Sequence, residues 1–141
     1  MSGQIARPRI GRSLKPFRRP WLWAGVWSLA VAAVVVASLV PAHGLPPVPA
    51  GTDKIEHFLS YFLLAAAAVQ LFGRRLSLLS ACVALMLMGL VLEQLQGSMA
   101  LGRSMDARDA LANTLGVLAG LATLFTPWRD ALLRLDLRRS P

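Results

Sequence analysis

The sequence predicts an all-α integral membrane bundle of four transmembrane helices. Both termini are expected in the cytoplasm, with a polar pocket between helices two, three and four in the outer leaflet. Two observations carry the fold class. Of the 141 residues 55% are hydrophobic and only 16% charged, and Lys and Arg gather on one side of the apolar stretches. Soluble domains carry about a quarter charged residues, so this much apolar material in so short a chain belongs in a bilayer. The length supports one compact unit rather than a multidomain enzyme. A net charge of +8 would suit nucleic acid, but the hydrophobicity excludes a disordered nucleic-acid-binding chain, and no nucleic-acid partner is expected. A single cysteine, Cys82, excludes an intrachain disulfide and a cysteine-rich zinc site.

The elements follow in order. Residues 1–20 hold six basic residues, three prolines and no acid. They read as a disordered, solvated cytoplasmic arm, compatible with anionic lipid headgroups. Trp21–Val40 carries no charge and lies between Pro20 and Pro41. At about 1.5 Å per residue its twenty residues span about 30 Å, the thickness of a hydrocarbon core. A cleaved signal peptide is the rival reading, but signal h-regions run about 7–15 residues. The loosely matching site at 48–50 also lies well past the apolar run, so an uncleaved span is expected.

Four prolines and two glycines between Pro41 and Thr52 make an extended connection. The second helix is expected over 53–72, where Asp53 and Glu56 have capping-box spacing at the positive helix end. Gly73-Arg74-Arg75 stops it. The third stretch, 76–95, is apolar until Glu93; residues 96–104 form a polar loop; the fourth stretch covers 106–126. Residues 127–141 are a basic cytoplasmic tail whose leucines at 132, 133, 135 and 137 suit a short interfacial helix. The transmembrane domain is thus 21–126.

Orientation comes from counting cations. The arm holds six, the 73–77 loop two and the tail four, against only Lys54, Arg103 and Arg108 on the other side. Positive residues stay inside. Trp21, Trp23, Trp27 and Trp128 then fall near the cytoplasmic interface, where an indole buries its body and wets its N–H.

Acidic residues take the opposite end. Asp53, Glu56, Glu93, Asp106 and Asp109 are five of the seven in the chain. Asp53, His57 and Tyr61 share about 80° of helical arc, as do Asp106, Asp109, Asn113, Gly116 and Gly120. Glu93 and Gln96 sit one turn apart. His57, Glu93 and Asn113 each lie about 5–6 Å inside their helix ends, and three polar groups at one depth are expected to face one another rather than lipid. Glu93 needs a partner, for which Arg103, His57 or a bound cation qualifies.

Three motifs stand in sequence here: Asp53-Lys-Ile-Glu-His57-Phe58-x-x-Tyr61, Glu93-x-x-Gln96, and Arg103-x-x-Asp106-x-x-Asp109-x-x-x-Asn113-x-x-Gly116. In these residues, over about 53–120, the chain resembles the VanZ-like family of small bacterial membrane proteins. The resemblance implies a multi-pass α-helical protein of the bacterial inner membrane and cell envelope. The family's founding member is associated with low-level resistance to teicoplanin, so antibiotic resistance is the phenotype it implies. No settled biochemical activity comes with it.

The leading expectation is a pocket of Asp53, His57, Tyr61, Glu93, Gln96, Arg103, Asp106, Asp109 and Asn113 that binds a lipid-linked or amphiphilic ligand. An enzyme is the alternative, with Glu93 as general base, His57 as acid and Arg103 on a phosphate of an envelope lipid. The sequence has no Gly-x-Ser-x-Gly nucleophile motif for it, so no catalytic residue is assigned. A structural assembly partner is the third reading. A metal would draw on His57, Glu93 and Asp106 or Asp109, but without a dense ligand motif neither metal nor cofactor is expected. Gly116 and Gly120, with Ala112, form a small-residue ridge for close helix packing.

Overall fold

The computed structural model describes residues 13–41, 49, 51–99 and 105–138. Among them the chain is built of helices: α1 (Pro20–Leu39), α2 (Thr52–Leu71), α3 (Arg75–Ser98), α4 (Ala107–Ala122) and α5 (Ala131–Arg138). Two short 3-10 turns, Thr123–Phe125 and Pro127–Asp130, join α4 to α5.

Local chemistry sets the ends. Pro20 opens α1 at a position where its missing N–H costs nothing. Asp106 caps α4, its side chain accepting the Arg108 N–H at 2.8 Å. Thr126, held extended by the proline after it, ends the α4 segment, and the chain turns by 80° into α5. At α2 the sequence expectation fails: Gly51 is the N-cap, at φ 89°, and no side chain caps the helix. Asp53 therefore acts on the helix dipole from the first turn and is free to face its neighbours.

The core lies between α2, α3 and α4, around Tyr61, Leu64, Ala68, Val69, Leu78, Cys82, Leu85 and Val117. The closest approach is between α2 and α4, which run parallel. A Cβ on Gly116 would stand 2.4 Å from the Phe58 carbonyl oxygen, and one on Gly120 would stand 2.5 Å from that of Phe62. Only glycine permits this spacing, as at other small-residue helix seams. The ridge expected from the sequence is thus consumed inside one chain.

Helix α1 packs differently. None of its residues is buried, and Leu29 and Val36 are widely exposed. It rests on the core through Trp27, Val31 and Val34. The Trp27 indole donates to the Leu64 carbonyl at 3.0 Å and meets Phe72 edge-on, with ring centroids 5.7 Å apart. Trp27 is therefore an internal fastener, not the interfacial residue expected; Trp21 and Trp128 are the exposed indoles. Two helices, Pro20–Leu39 and Arg75–Ser98, are long and apolar enough to cross a membrane, and a third qualifies if the bent pair from Ala107 to Arg138 is one span. Helix α2 has the length, but Asp53, Lys54 and Glu56 crowd its first turns.

Basic residues converge at one end, but not as a solvated arm and a loose tail. Residues 13–19, expected to be disordered, are fastened down. Gly73 and Lys15 exchange backbone hydrogen bonds with Ser13 and Leu71 (both 2.9 Å), and Leu14 bridges Phe72. The Lys15 ammonium donates to the Val69 carbonyl at 2.7 Å and pairs with Asp130 at 2.9 Å. Asp136 of α5 is buried. It accepts the Arg18 N–H at 2.6 Å and the Trp23 indole at 2.9 Å. Gln70 completes the clasp, donating to the Trp128 carbonyl and accepting the Leu132 N–H. The tail's aspartates, Asp130 and Asp136, are what fasten Lys15, Arg18 and Trp23 to it.

Two predictions follow from this packing. Gly116→Ala lowers stability in detergent micelles by about 1–3 kcal/mol, the usual range for an overpacked contact, whereas Gly25→Ala, with nothing within 4 Å of its added methyl, is neutral or slightly stabilising; thermal unfolding of the two variants checks this. The second concerns pH. The Trp23 indole holds the Asp136 carboxyl below the usual carboxylate range, and the Lys15 ammonium does the same for Asp130. A folded-state pKa below the unfolded one contributes stability that is complete above the ordinary value, about 3.9, and is lost as pH falls through the depressed one. Wild-type unfolding temperature therefore drops on acidification below about 3.9, and the Asp130→Asn/Asp136→Asn double variant starts lower at neutral pH and loses less.

Candidate functional site

At the opposite, acidic end the polar groups of α2, α3 and α4 meet. His57 stands one turn inside α2, Glu93 one turn inside the end of α3, and Asn113 on the buried face of α4. The glycine seam draws α2 and α4 together just beyond them, which places the His57 Nδ1 3.0 Å from the Asn113 Oδ1. An amide oxygen only accepts, so Nδ1 carries the hydrogen in this bond. Glu93, 3% exposed, brings Oε1 to 3.8 Å from the same ring nitrogen, and its Oε2 accepts the Asp106 N–H at 3.4 Å. The far ring nitrogen, Nε2, faces Asp53 Oδ1 at 3.6 Å.

A second layer lies nearer the helix ends. Lys54 donates to Asp106 at 3.0 Å and to the buried Asp109 at 3.2 Å. The Arg108 amide, more than Lys54, lowers the Asp106 carboxyl below its ordinary range, and the lysine adds to it. Lys54 was counted in the sequence only as a topology charge, yet here it is the cation that ties α2 to the start of α4. The excess of acids at this end was the available signal: four carboxylates packed at one helix end require a counter-charge.

The remaining expected residues divide. Gln96 is buried but does not join the cluster. Its amide donates to the Ser38 carbonyl at 2.7 Å, one of the last carbonyls of α1, which lack partners inside their own helix. Gln96 therefore fastens α1 to α3. Tyr61, 2% exposed, lines the site, and its hydroxyl has no hydrogen-bond partner among the described residues. Arg103, like Gly102 and Ser104, lies outside the described residues. Gly116 and Gly120 position the site rather than line it. Gly89 was not singled out from the sequence and has a similar part: a Cβ there would stand 3.1 Å from Asn113 Nδ2 and 3.3 Å from Tyr61 Cε1. It leaves room for both side chains.

A cleft of about 270 Å³ opens beside His57 between α1 and α2. The α1 wall, from Ala33, Val34, Ala37 and Ser38, is apolar but for the serine; the α2 wall is polar, from Glu56, His57, Ser60 and Tyr61. Chemically, the cleft offers the His57 imidazole, the Glu56 carboxyl group and the hydroxyls of Ser60 and Tyr61 beside a largely apolar wall, while the Lys54 ammonium is held on Asp106 and Asp109. Among the described residues a ring nitrogen of His57 and one carboxylate oxygen each of Asp53 and Asp109 lie within 4.8 Å of one another, a spacing that a metal ion accepts. In comparisons with known families, curated proteins and solved structures, the chain matches none.

Proposed function

We propose that this chain is a VanZ-like protein of the bacterial inner membrane that holds the headgroup of a lipid-linked or amphiphilic ligand at its acidic end. The observation that carries the proposal is the two-sided cleft. Its apolar α1 wall matches an acyl or prenyl chain, and its polar α2 wall, backed by Glu93 and Asn113, matches a headgroup. Hydrophobic packing alone has no need for a buried carboxylate, amide and imidazole at one level, since each is costly in an apolar setting without a partner.

Four crossings with both termini in the cytoplasm fit the same reading. Residues 13–19, the Arg74-Arg75 turn and the described part of the tail share one end, as positive-inside orientation requires, and anionic headgroups are their natural neighbours. Helices α2 and α4 supply the third and fourth crossings, with their charged turns at the outer aqueous boundary. Altered susceptibility to a lipoglycopeptide is one consequence of holding an envelope lipid there. The 3.8 Å approach of Glu93 to His57 supports a second reading, a hydrolase or transferase acting on that lipid.

Purified chain incubated with bacterial envelope lipids retains one amphiphile class in native mass spectrometry. Ser60→Trp, which fills the cleft, lowers retention at least about tenfold, equivalent to about 1.4 kcal/mol. Unchanged retention in this variant at normal protein level contradicts the proposal. A converted lipid that disappears with Glu93→Gln assigns the enzyme instead.

A further inference from the structure

A cleft of about 310 Å³ lies at the basic end, between the α2–α3 turn and the bend that follows α4. Phe72, Leu78 and Leu124 give it apolar lining, and Phe125 stands beside it 87% exposed. Four cations, Lys15, Arg74, Arg75 and Arg129, border it against one acid, Asp130. A hollow of about 530 Å³ shares Phe125 and Arg129 with the cleft and extends the space to Arg134.

The charge of this cleft is not balanced within the chain. Asp130 pairs with the Lys15 ammonium at 2.9 Å and with the Arg129 Nε at 3.3 Å, so one carboxylate serves two cations. Asp136 is buried on the Arg18 N–H and the Trp23 indole. The other five of the seven acids in the sequence stand at the opposite end of the bundle. No carboxylate is left for Arg74 and Arg75, and among the described residues neither guanidinium has a hydrogen bond or an ion pair. Both also stand at the start of α3, whose first turn holds no acid, and cations there oppose the helix dipole. Guanidinium groups gathered around one cleft suit a phosphate, which arginine binds through two parallel N–H bonds.

The surroundings fit a phosphate carried by a lipid. Leu76 and Leu79, just past Arg75 on α3, are widely exposed, and α3 is long and apolar enough to cross a membrane. Acyl chains attached to the phosphate thus have an apolar surface to follow. Phe125 and Trp128, both exposed, suit the level of the headgroups. We propose that this cleft is a discrete site for an anionic phospholipid, with Arg74, Arg75 and Arg129 on its phosphate and Leu76, Leu79 and Phe125 along its acyl chains. Basic pockets beside membrane-crossing helices bind such headgroups. A choline headgroup is disfavoured, because its own cation would meet the arginines. The site requires that the chain lie in a bilayer, but not that the acidic end bind anything.

The full chain in neutral detergent micelles is titrated with phosphatidylglycerol while its unfolding temperature is followed, since a ligand that binds only the folded chain raises it. Expected is a saturable rise with phosphatidylglycerol and none with phosphatidylcholine. The Arg74→Gln/Arg75→Gln double variant binds about 30-fold more weakly, about fivefold for each arginine. Arg138→Gln, a cation of α5 that does not border the cleft, leaves the titration unchanged, and so does Ser60→Trp at the acidic end. An equal rise with phosphatidylcholine overturns the proposal. So does an equal loss in Arg138→Gln, which would mean diffuse attraction to basic residues, or in Ser60→Trp, which would place the lipid at the other end. Glycerol phosphate at the same concentration gives no rise; a rise as large as the lipid's would make this a site for a dissolved anion and overturn the lipid assignment. Where the double variant fails to fold, the single Arg75→Gln and the wild-type comparison of the two lipids decide, and no rise with phosphatidylglycerol overturns the site.

Discussion

The acidic end depends on how closely two parallel helices approach. Gly116 and Gly120 let α4 lie against the α2 backbone at Phe58 and Phe62, and one turn further out that spacing becomes a 3.0 Å hydrogen bond between His57 and Asn113. Side chains at either glycine would push α4 away by more than a hydrogen bond tolerates, because such bonds weaken beyond about 3.2 Å. Glu93 then loses the imidazole near it, and Asp109 loses its line to Lys54. The packing of the apolar half and the chemistry of the polar half are in this sense a single constraint.

The two ends of the bundle solve opposite electrostatic problems with the same device. At the basic end two aspartates, Asp130 and Asp136, gather the Lys15 ammonium, the Arg18 N–H and the Trp23 indole and fasten residues 15–23 to the tail. At the acidic end a single lysine, Lys54, bridges two carboxylates from another helix. In each case the minority charge is the one that organises the structure. The difference is how many buried polar groups meet: Asp136 is buried by itself at the basic end, whereas Glu93, Asp109 and Asn113 are withdrawn from solvent together at the acidic one, where partners matter most. Polar groups held in that way at one depth, beside a cleft with an apolar wall, are the reason for reading this end as functional and the basic end as an anchor.

Much of this was legible in the chain. Runs of apolar residues place α1, α2 and α3 within a residue or so at most ends, because local propensity and helix breakers decide those limits. The common depth of His57, Glu93 and Asn113 follows from counting residues from the helix ends. What escaped depends on contacts distant in sequence. Nothing local to Lys15 announces Asp130, 115 positions later, so residues 13–19 looked like solvated arm. Gln96 shares a motif with Glu93 yet turns to α1, since helical spacing gives a direction around the axis but not which neighbour stands there. Asp53 and Glu56 have the spacing of a capping box, but Gly51 took the cap and released Asp53 toward His57. The role of Lys54 was hidden because the count of cations that suggests topology already used it.

The central claim is that imidazole, amide and carboxylate from separate helices meet. It is tested most directly by NMR of the full chain with 15N-labelled histidine in lipid nanodiscs. Only His43 and His57 are present, so a His43→Gln variant assigns the signals. The account predicts a His57 Nδ1–H slow to exchange with water, with cross-peaks to the Asn113 side chain that vanish in Gly116→Leu. A His57 ring N–H that exchanges with water as fast as a free imidazole's and shows no contact with α4 would contradict it.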